Sequence, residues 1–337
     1  FGSDPESGLR TIVAIHSTVL GPSLGGTRFY PYASEADALT DVLRLAKGMT
    51  YKAACAGLDQ GGGKAVIIGD PDLLRSPGLF TAYGRFIDGL AGRYITAEDV
   101  GTTVSDMEIV ATRTSYVSGL PIGDGGSGDP SPATARGVVA AMRAIGHHLW
   151  GSPELAGRKV AIKGVGKVGM SLAERLHRSS VELIVADVDD EAAERAAIDF
   201  GAKVVAVDDV HTVDCDIFAP CALGADLDED SIAELGCAAI AGSANNQLAT
   251  EADAERIAAR GILYAPDFVV NAGGIINIAA ESGGYDVGRA AAMVDRIFDN
   301  LTGILSSAET LGISTETAAT KMADERIAAA AAKGVST

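Results

Sequence analysis

Residues 158–176 read RKVAIKGVGKVGMSLAERL, and their order decides the fold of the second half of the chain. Val160 to Ile162 form a short strand, Gly164, Gly166 and Gly169 stand at G-x-G-x-x-G spacing, and Met170 to Leu176 carry helical periodicity. Such a glycine motif alone occurs by chance in many loops. Here a strand precedes it, a helix follows it, and a second strand, VELIVADVD, ends at Asp187, twenty-three residues beyond Gly164. That context predicts a dinucleotide site. The glycines, with Lys167 and Val168 among them, let a pyrophosphate sit on backbone N–H groups at the helix start, and Asp187 accepts hydrogen bonds from the adenosine ribose. A carboxylate there repels a 2′-phosphate, which favours NAD over NADP.

The pattern continues outward. Strands are expected at 203–207 (KVVAV), 216–218 (DIF), 238–241 and 262–264, alternating with helices as in a doubly wound parallel sheet. Pro220, Cys221, Ala222, Asn245, Asn246 and Asn271 follow these strands, where the far half of a dinucleotide binds. The asparagine pair fits turn chemistry equally well.

Upstream, RTIVAIH (10–16) reads as a strand, followed by a glycine-rich loop over 20–26 and a short strand over 27–30. A helix capped by Ser34, with Asp37 three residues on, runs to about Lys47 or beyond. It delivers the chain to residues 49–64, MTYKAACAGLDQGGGK. The triplet Gly61-Gly62-Gly63 is expected to turn the chain and bring Lys64 towards Lys52, so that two ammonium groups share a cleft and one becomes available as a base or polarising donor. Two solvated surface lysines beside a turn fit the same pattern. AVIIG then forms a strand, 79–90 a helix, and 94–96 a strand ending at Glu98 and Asp99, the end of a strand where sites form in α/β sheets. A helix begins at Asp106, PIGDGGSGDPSPATARG (121–137) reads as a junction and hinge, and helices are expected over 133–149, 287–304 and 315–332, the last followed by a polar tail.

The bulk composition bounds the possibilities. At 337 residues the chain has room for two domains, and 47% hydrophobic with 21% charged residues suits a globular protein. A net charge of −18 argues against nucleic acid, which needs clustered Lys and Arg. No apolar run reaches membrane-spanning length. FGSDPESGLR does not read as a signal peptide, and a start at Phe1 rather than Met suggests residues upstream. The four cysteines lack C-x-x-C spacing and the five histidines do not cluster with them, so no metal site or disulfide framework is expected and a reducing compartment, the cytoplasm, is. His147 and His148 read as structural.

Taken in order, LGGTR, MTYKAA, GGGKAVI, YITAEDVGT, GVGKVG, PCALGA, ANNQL and APDFVVNAGGIIN resemble the Glu/Leu/Phe/Val amino acid dehydrogenases, and among them the valine and leucine enzymes most. The match runs from about Thr11 to Ile327. The resemblance implies reversible, NAD-dependent oxidative deamination of an L-amino acid to its 2-oxo acid and ammonia. By the same resemblance Lys52 pairs with the substrate α-carboxylate, Lys64 polarises the carbonyl and activates water, and Asp99 shuttles protons to and from the amine. A carboxylate close to Lys64 would hold it charged. Gly25 and Gly26 lie beside the substrate, Thr134 holds the nicotinamide amide, and Asn271 sits near both.

Glutamate-specific relatives carry a lysine near the position of Leu24, and no cation stands here. Leu24, Met49, Ala97 and Val294 are therefore expected to make an apolar pocket that buries a branched side chain for about 1.5–3 kcal/mol. One methylene is worth only about 1–3 kcal/mol, so valine, leucine and isoleucine should all be accepted. The stretch AAESGGYD departs from the leucine enzymes at Ser282 and Gly283, which leaves phenylalanine as the alternative substrate. A silent NAD-binding regulatory protein should lack one of Lys52, Lys64 and Asp99, and all three are present. The implied organisation is two α/β domains separated by a cleft. Residues 1–120 with 311–337 form the substrate-binding and oligomerisation domain and 121–310 the Rossmann-type NAD domain, in a homo-oligomer, dimer or octamer, whose hinge moves on NAD binding.

Overall fold

The computed structural model describes residues 1–222 and 224–334; the end of the expected polar tail lies outside them. Contacts group the chain into two compact units, Phe1–Pro130 with Ile275–Ala290 and the chain from Ala323 on, and Ser131–Gly274 with Ala291–Met322. The division expected from sequence broke at 120/121 and returned at 310/311, whereas the contacts break at Pro130 and place 275–290 with the first unit.

In the first unit the elements are β1 (Gly2–Asp4), β2 (Leu9–Ser17), β3 (Ser23–Tyr30), α1 (Glu35–Cys55), β4 (Gly61–Ile68), α2 (Pro71–Leu74), α3 (Pro77–Asp88), β5 (Tyr94–Glu98) and α4 (Val104–Ala111). The sheet order is β1-β2-β4-β3-β5, with β2 antiparallel to β1 and β4, and β3 parallel to both β4 and β5. Phe29, Ile67, Leu79, Phe80, Tyr83, Tyr94 and Met107 fill one face under α3 and α4. Ile12, Val42, Ala46, Val66 and Ile68 make the core against α1. Helix starts follow the side chains: Ser34 accepts the Asp37 N–H, and Thr103 with Asp106 forms a reciprocal capping box.

Two local expectations are corrected here. The glycine-rich stretch 23–26 is strand, inside β3. The triplet 61–63 is also strand, the buried start of β4, and the chain turns earlier, where Gly57 has φ 74°. The reason is the close crossing of α1, which runs eight residues beyond Lys47. A Cβ on Gly62 would lie 2.1 Å from the Thr50 backbone N and 2.3 Å from its hydroxyl. Glycine at 62 is a packing requirement rather than a turn.

The second unit carries α5 (Ser131–Trp150), β6 (Lys159–Lys163), α6 (Lys167–Arg178), β7 (Glu182–Ala186), α7 (Asp190–Phe200), β8 (Lys203–Val204), β9 (Cys215–Pro220), α8 (Glu229–Glu234), β10 (Cys237–Ile240), α9 (Ala252–Ala259), β11 (Leu263–Tyr264) and α10 (Asp267–Val270). The remaining helices are α11 (Gly273–Ala279), most of which belongs to the first unit, α12 (Val287–Asp295), which passes from the first to the second, α13 (Ile297–Leu311) in the second, and α14 (Thr315–Gly334), which passes from the second back to the first. All strand pairs are parallel and the order is β8-β7-β6-β9-β10-β11, the 3-2-1-4-5-6 order of a dinucleotide-binding sheet. The glycine motif follows β6, beside the point where the order reverses. Three expectations shift: strand 203–207 keeps only its first two residues, the helix expected over 287–304 divides at Arg296, and the helix of the expected hinge starts at Ser131.

At the start of α14, burial beside Asp267 and Glu251 pushes the Glu316 carboxyl up to about 8. The folded chain thus holds this proton more tightly than the unfolded chain, so stability falls as pH rises from the ordinary carboxylate range through about 8. Glu316→Gln is expected to remove that fall. Thermal melts should show the variant level with the parent near pH 4 and roughly 3–6 °C above it at pH 9.

Candidate active site

Three neighbouring strands each deliver one charged group. Lys64 on β4 is only 5% exposed, and its Nζ lies 2.8 Å from Oδ1 of Asp99, the residue that follows β5. From β3, between them, Arg28 Nε donates to the other carboxylate oxygen of Asp99 at 3.3 Å. Arg28 also donates through Nη1 to Asp41 at 2.9 Å, and the Tyr32 hydroxyl donates to the same Asp41 oxygen at 2.5 Å. Burial alone would raise the Asp99 carboxyl. The Lys64 and Arg28 cations outweigh it and hold Asp99 below the usual carboxylate range.

The backbone around this pair is tightly fixed. The Asp99 N–H donates to the Thr102 hydroxyl, which donates in turn to the Thr27 carbonyl, both at 2.9 Å. Beneath, the Tyr94 hydroxyl donates to the Gly25 carbonyl at 2.6 Å, and the hydroxyls of Thr27, Tyr83 and Thr96 form a buried triangle of 2.6–3.0 Å edges. A Cβ on Gly25 would meet the Gly63 carbonyl at 1.8 Å, and one on Gly26 would lie 2.8 Å from the Asp99 Cβ. Both glycines are buried within the sheet, so backbone packing accounts for them. Leu24 and Ala97 are buried at 2% on β3 and β5. Met49 and Lys52 lie half-buried on α1, either side of the Thr50 that rests on Gly62.

In the second unit Gly164 and Gly169 of the fingerprint are held by close packing. Gly164 takes φ 100°, and a Cβ there would press on Cys221 and Ala222, whose loop lies against it. Gly169 packs on the Gly164 carbonyl, while a Cβ on Gly166 would meet nothing within 4 Å. Gly166 caps α6 with no side-chain hydrogen bond to the first turn, which Lys167 and Val168 begin. Asp187 accepts from the Val165 and Asp189 N–H groups at 2.6 and 2.9 Å, which sets its carboxylate at the end of β7.

Asn271 gathers a second set of residues. Its Nδ2 donates to the carbonyls of Ser243 and Ala244 and to Asn245 Oδ1 at 3.0–3.2 Å, and its own Oδ1 is buried without a partner. An unpaired buried carbonyl oxygen costs about 1–3 kcal/mol, so the site fits a ligand N–H donor such as a carboxamide. Two residues on, a Cβ on Gly273 would lie 2.9 Å from the Thr134 Cα, which places Thr134 beside this loop. Asn245 and Asn246 are exposed, with Asn246 left-handed at φ 52°, and Val294 is 1% exposed.

Residues 3–116 match the family model described as Glu/Leu/Phe/Val dehydrogenase, dimerisation domain. Residues 125–193 and 185–334 match that of Glutamate/Leucine/Phenylalanine/Valine dehydrogenase. The chain belongs to the Glu/Leu/Phe/Val dehydrogenase family. It is 52% identical to the leucine dehydrogenase of Geobacillus stearothermophilus, over 97% of this chain and 89% of that one. It is 49% identical to the valine dehydrogenase of Streptomyces virginiae, over 96% and 91%. Among solved structures it is similar to the L-tryptophan dehydrogenase of Nostoc punctiforme, at a TM-score of 0.84 and 42% identity over 98% of this chain and 95% of that one.

For this member of the Glu/Leu/Phe/Val dehydrogenases, sequence reasoning missed Arg28, Asp41 and Thr102. A signal for Arg28 was available. Side chains two apart on a strand share a face, so Arg28 stands on the same side of β3 as Gly26, the side on which Asp99 lies. Among the described residues no helix is long and apolar enough to cross a membrane.

Proposed function

We propose that the chain is an NAD-dependent dehydrogenase that reversibly deaminates a branched-chain aliphatic L-amino acid, valine, leucine or isoleucine, to its 2-oxo acid. The observation that carries this reading is the ion pair of the buried Lys64 with the partly exposed Asp99 at 2.8 Å, in a chain about half identical to leucine and valine dehydrogenases. The balance is amino acid, NAD⁺ and water giving 2-oxo acid, ammonium, NADH and a proton.

NAD, when bound, would supply the acceptor for the hydride that leaves the substrate Cα. The protein's residues do the rest. Lys52 pairs with the α-carboxylate. Asp99, ionised beside Lys64 and Arg28, accepts a proton from the substrate ammonium so that nitrogen can form the imine. Lys64 directs water to that carbon and steadies the charge that develops on the oxygen, and Asp99 returns its proton to the departing ammonia. Gly25 and Gly26, held in place by the sheet packing, lie beside the substrate, and Leu24, Met49 and Ala97 take its side chain.

Gly164, Gly166, Lys167, Val168 and Gly169 would hold the pyrophosphate, Asp187 the adenosine ribose, and Cys221, Ala222, Asn245 and Asn246 the far half of NAD. Thr134 and Asn271 would hold the nicotinamide carboxamide, supported by the unpaired Asn271 Oδ1. The description of the matched model as a dimerisation domain supports a homo-oligomer, dimer or octamer, formed through the first unit. None of the four cysteines is in a disulfide, which fits a cytoplasmic enzyme.

Steady-state NADH formation with a panel of L-amino acids tests the reading. Values of kcat/KM for valine, leucine and isoleucine should fall within about 200-fold of one another and above those for phenylalanine, tryptophan and glutamate. No NADH with any aliphatic or aromatic amino acid would sink it.

A further inference from the structure

Asp99 divides its two oxygens between two cations, Lys64 on Oδ1 and Arg28 on Oδ2. Arg28 in turn divides its guanidinium between Asp99 and Asp41, and Asp41 also accepts from Tyr32. The result is a chain of alternating charge, Lys64, Asp99, Arg28, Asp41, that starts on β4, crosses β3 and ends on α1. The side chains of Arg28, Asp41 and Asp99 are 23, 29 and 22% exposed, so solvent screens the line only in part.

We infer that Arg28 is a positioning residue for the reaction: it orients the Asp99 carboxylate towards Lys64 and supplies part of the field at that pair, and Asp41 sets how much of the Arg28 charge the pair feels. This rests on the roles proposed above for Lys64 and Asp99. The geometry separates steering from mere support. Arg28 reaches the Asp99 oxygen that Lys64 does not use, so it does not compete for the catalytic contact. Asp41 contacts Arg28 on a different nitrogen, Nη1 rather than Nε, so its charge can be removed while the Arg28–Asp99 bond remains.

The groups that act on Asp99 include Lys64 from β4, Arg28 from β3, the Tyr94 phenol from β5 and the Thr102 hydroxyl from its own loop, with Asp41 and Tyr32 behind Arg28. Burial keeps the Tyr94 phenol protonated, its titration raised far above the ordinary phenol range. Arg28 and, through it, Asp41 thus bring charge to the pair from outside it.

Coulomb's law then gives opposite signs for two substitutions. Whichever member of the pair a pH limb reports, losing a nearby positive charge raises it and losing a negative charge lowers it. Arg28→Met is expected to move the limbs of the kcat/KM profile up by about 1 pH unit, and Asp41→Asn down by roughly half a unit, being one group further away. Arg28→Lys keeps the charge and should return the limbs to within a few tenths of a unit of the parent. A carbon-13 titration of the Asp99 carboxyl, which needs no turnover, should show the same two signs.

Opposite shifts in the two variants with recovery in Arg28→Lys support the inference. A uniform loss of kcat/KM with unmoved limbs, or shifts of the same sign in both variants, would overturn it. Should Arg28→Met fail to fold, the downward shift in Asp41→Asn and the Arg28→Lys profile decide. A parent that makes no NADH with any amino acid counts against the deamination reading, and the carboxyl titration then tests the Arg28 field by itself.

Discussion

Replacing Lys64 by alanine is expected to lower kcat for the preferred amino acid by roughly 10³-fold, within the range for loss of a positioned proton-transfer or polarising group. The size follows from burial. Lys64 is 5% exposed, so water cannot easily stand in for the ammonium where the carbonyl oxygen develops charge. The fold should survive, because Asp99 keeps Arg28 and is not left as an unpaired buried charge. NAD affinity should also be unchanged, since the glycine fingerprint is built within the other unit. The check is kcat at saturating NAD together with a fluorescence titration of NAD and a thermal melt. Full activity in Lys64→Ala would remove this lysine from the mechanism.

The second large effect is expected at Gly62, in a position with no chemistry of its own. Gly62→Ala should destabilise the protein by about 3 kcal/mol, at the upper end for overpacking a core, and raise KM for the amino acid more than roughly tenfold. The new methyl would sit inside contact distance of Thr50, which is 1% exposed and bonded at 2.9 Å to the His16 ring. The helix must therefore shift, and Lys52, two residues on, shifts with it. Gly48 gives the control. It lies inside the same helix with nothing within 4 Å of its absent Cβ, so Gly48→Ala should stabilise by about 0.5–1 kcal/mol. Equal melting temperatures for the two variants would contradict the packing argument.

These two glycines show what was legible in the sequence and what was not. The dinucleotide half could be read because its evidence is local: strand, glycines, helix, second strand and Asp187 all fall within thirty residues. Lys64 and Asp99 were also reachable, through the family motifs that contain them. The glycine triplet was not, because a glycine that admits a turn and a glycine that admits a helix look alike until the helix is placed. Helix α1 passes through Gly48 to Cys55 although glycine is a poor helix former, since packing against β4 outweighs the propensity. Arg28 went unread for a different reason. Its meaning lies in two carboxylates distant in sequence, 13 and 71 residues away, which no local pattern joins.

The placement of Lys64 in the middle of a strand also bears on how such an enzyme can vary. Side chains along β4 alternate between faces, so one residue added to or lost from 61–63 would swing the lysine to the far side of the sheet. A length change that a surface loop would absorb is here a loss of the reaction. Both the residues and their number are fixed in that segment, the glycines by what crosses them and the number by the face on which Lys64 must emerge, so a designer who wants a new substrate should recut the helix opposite and leave the ruler alone.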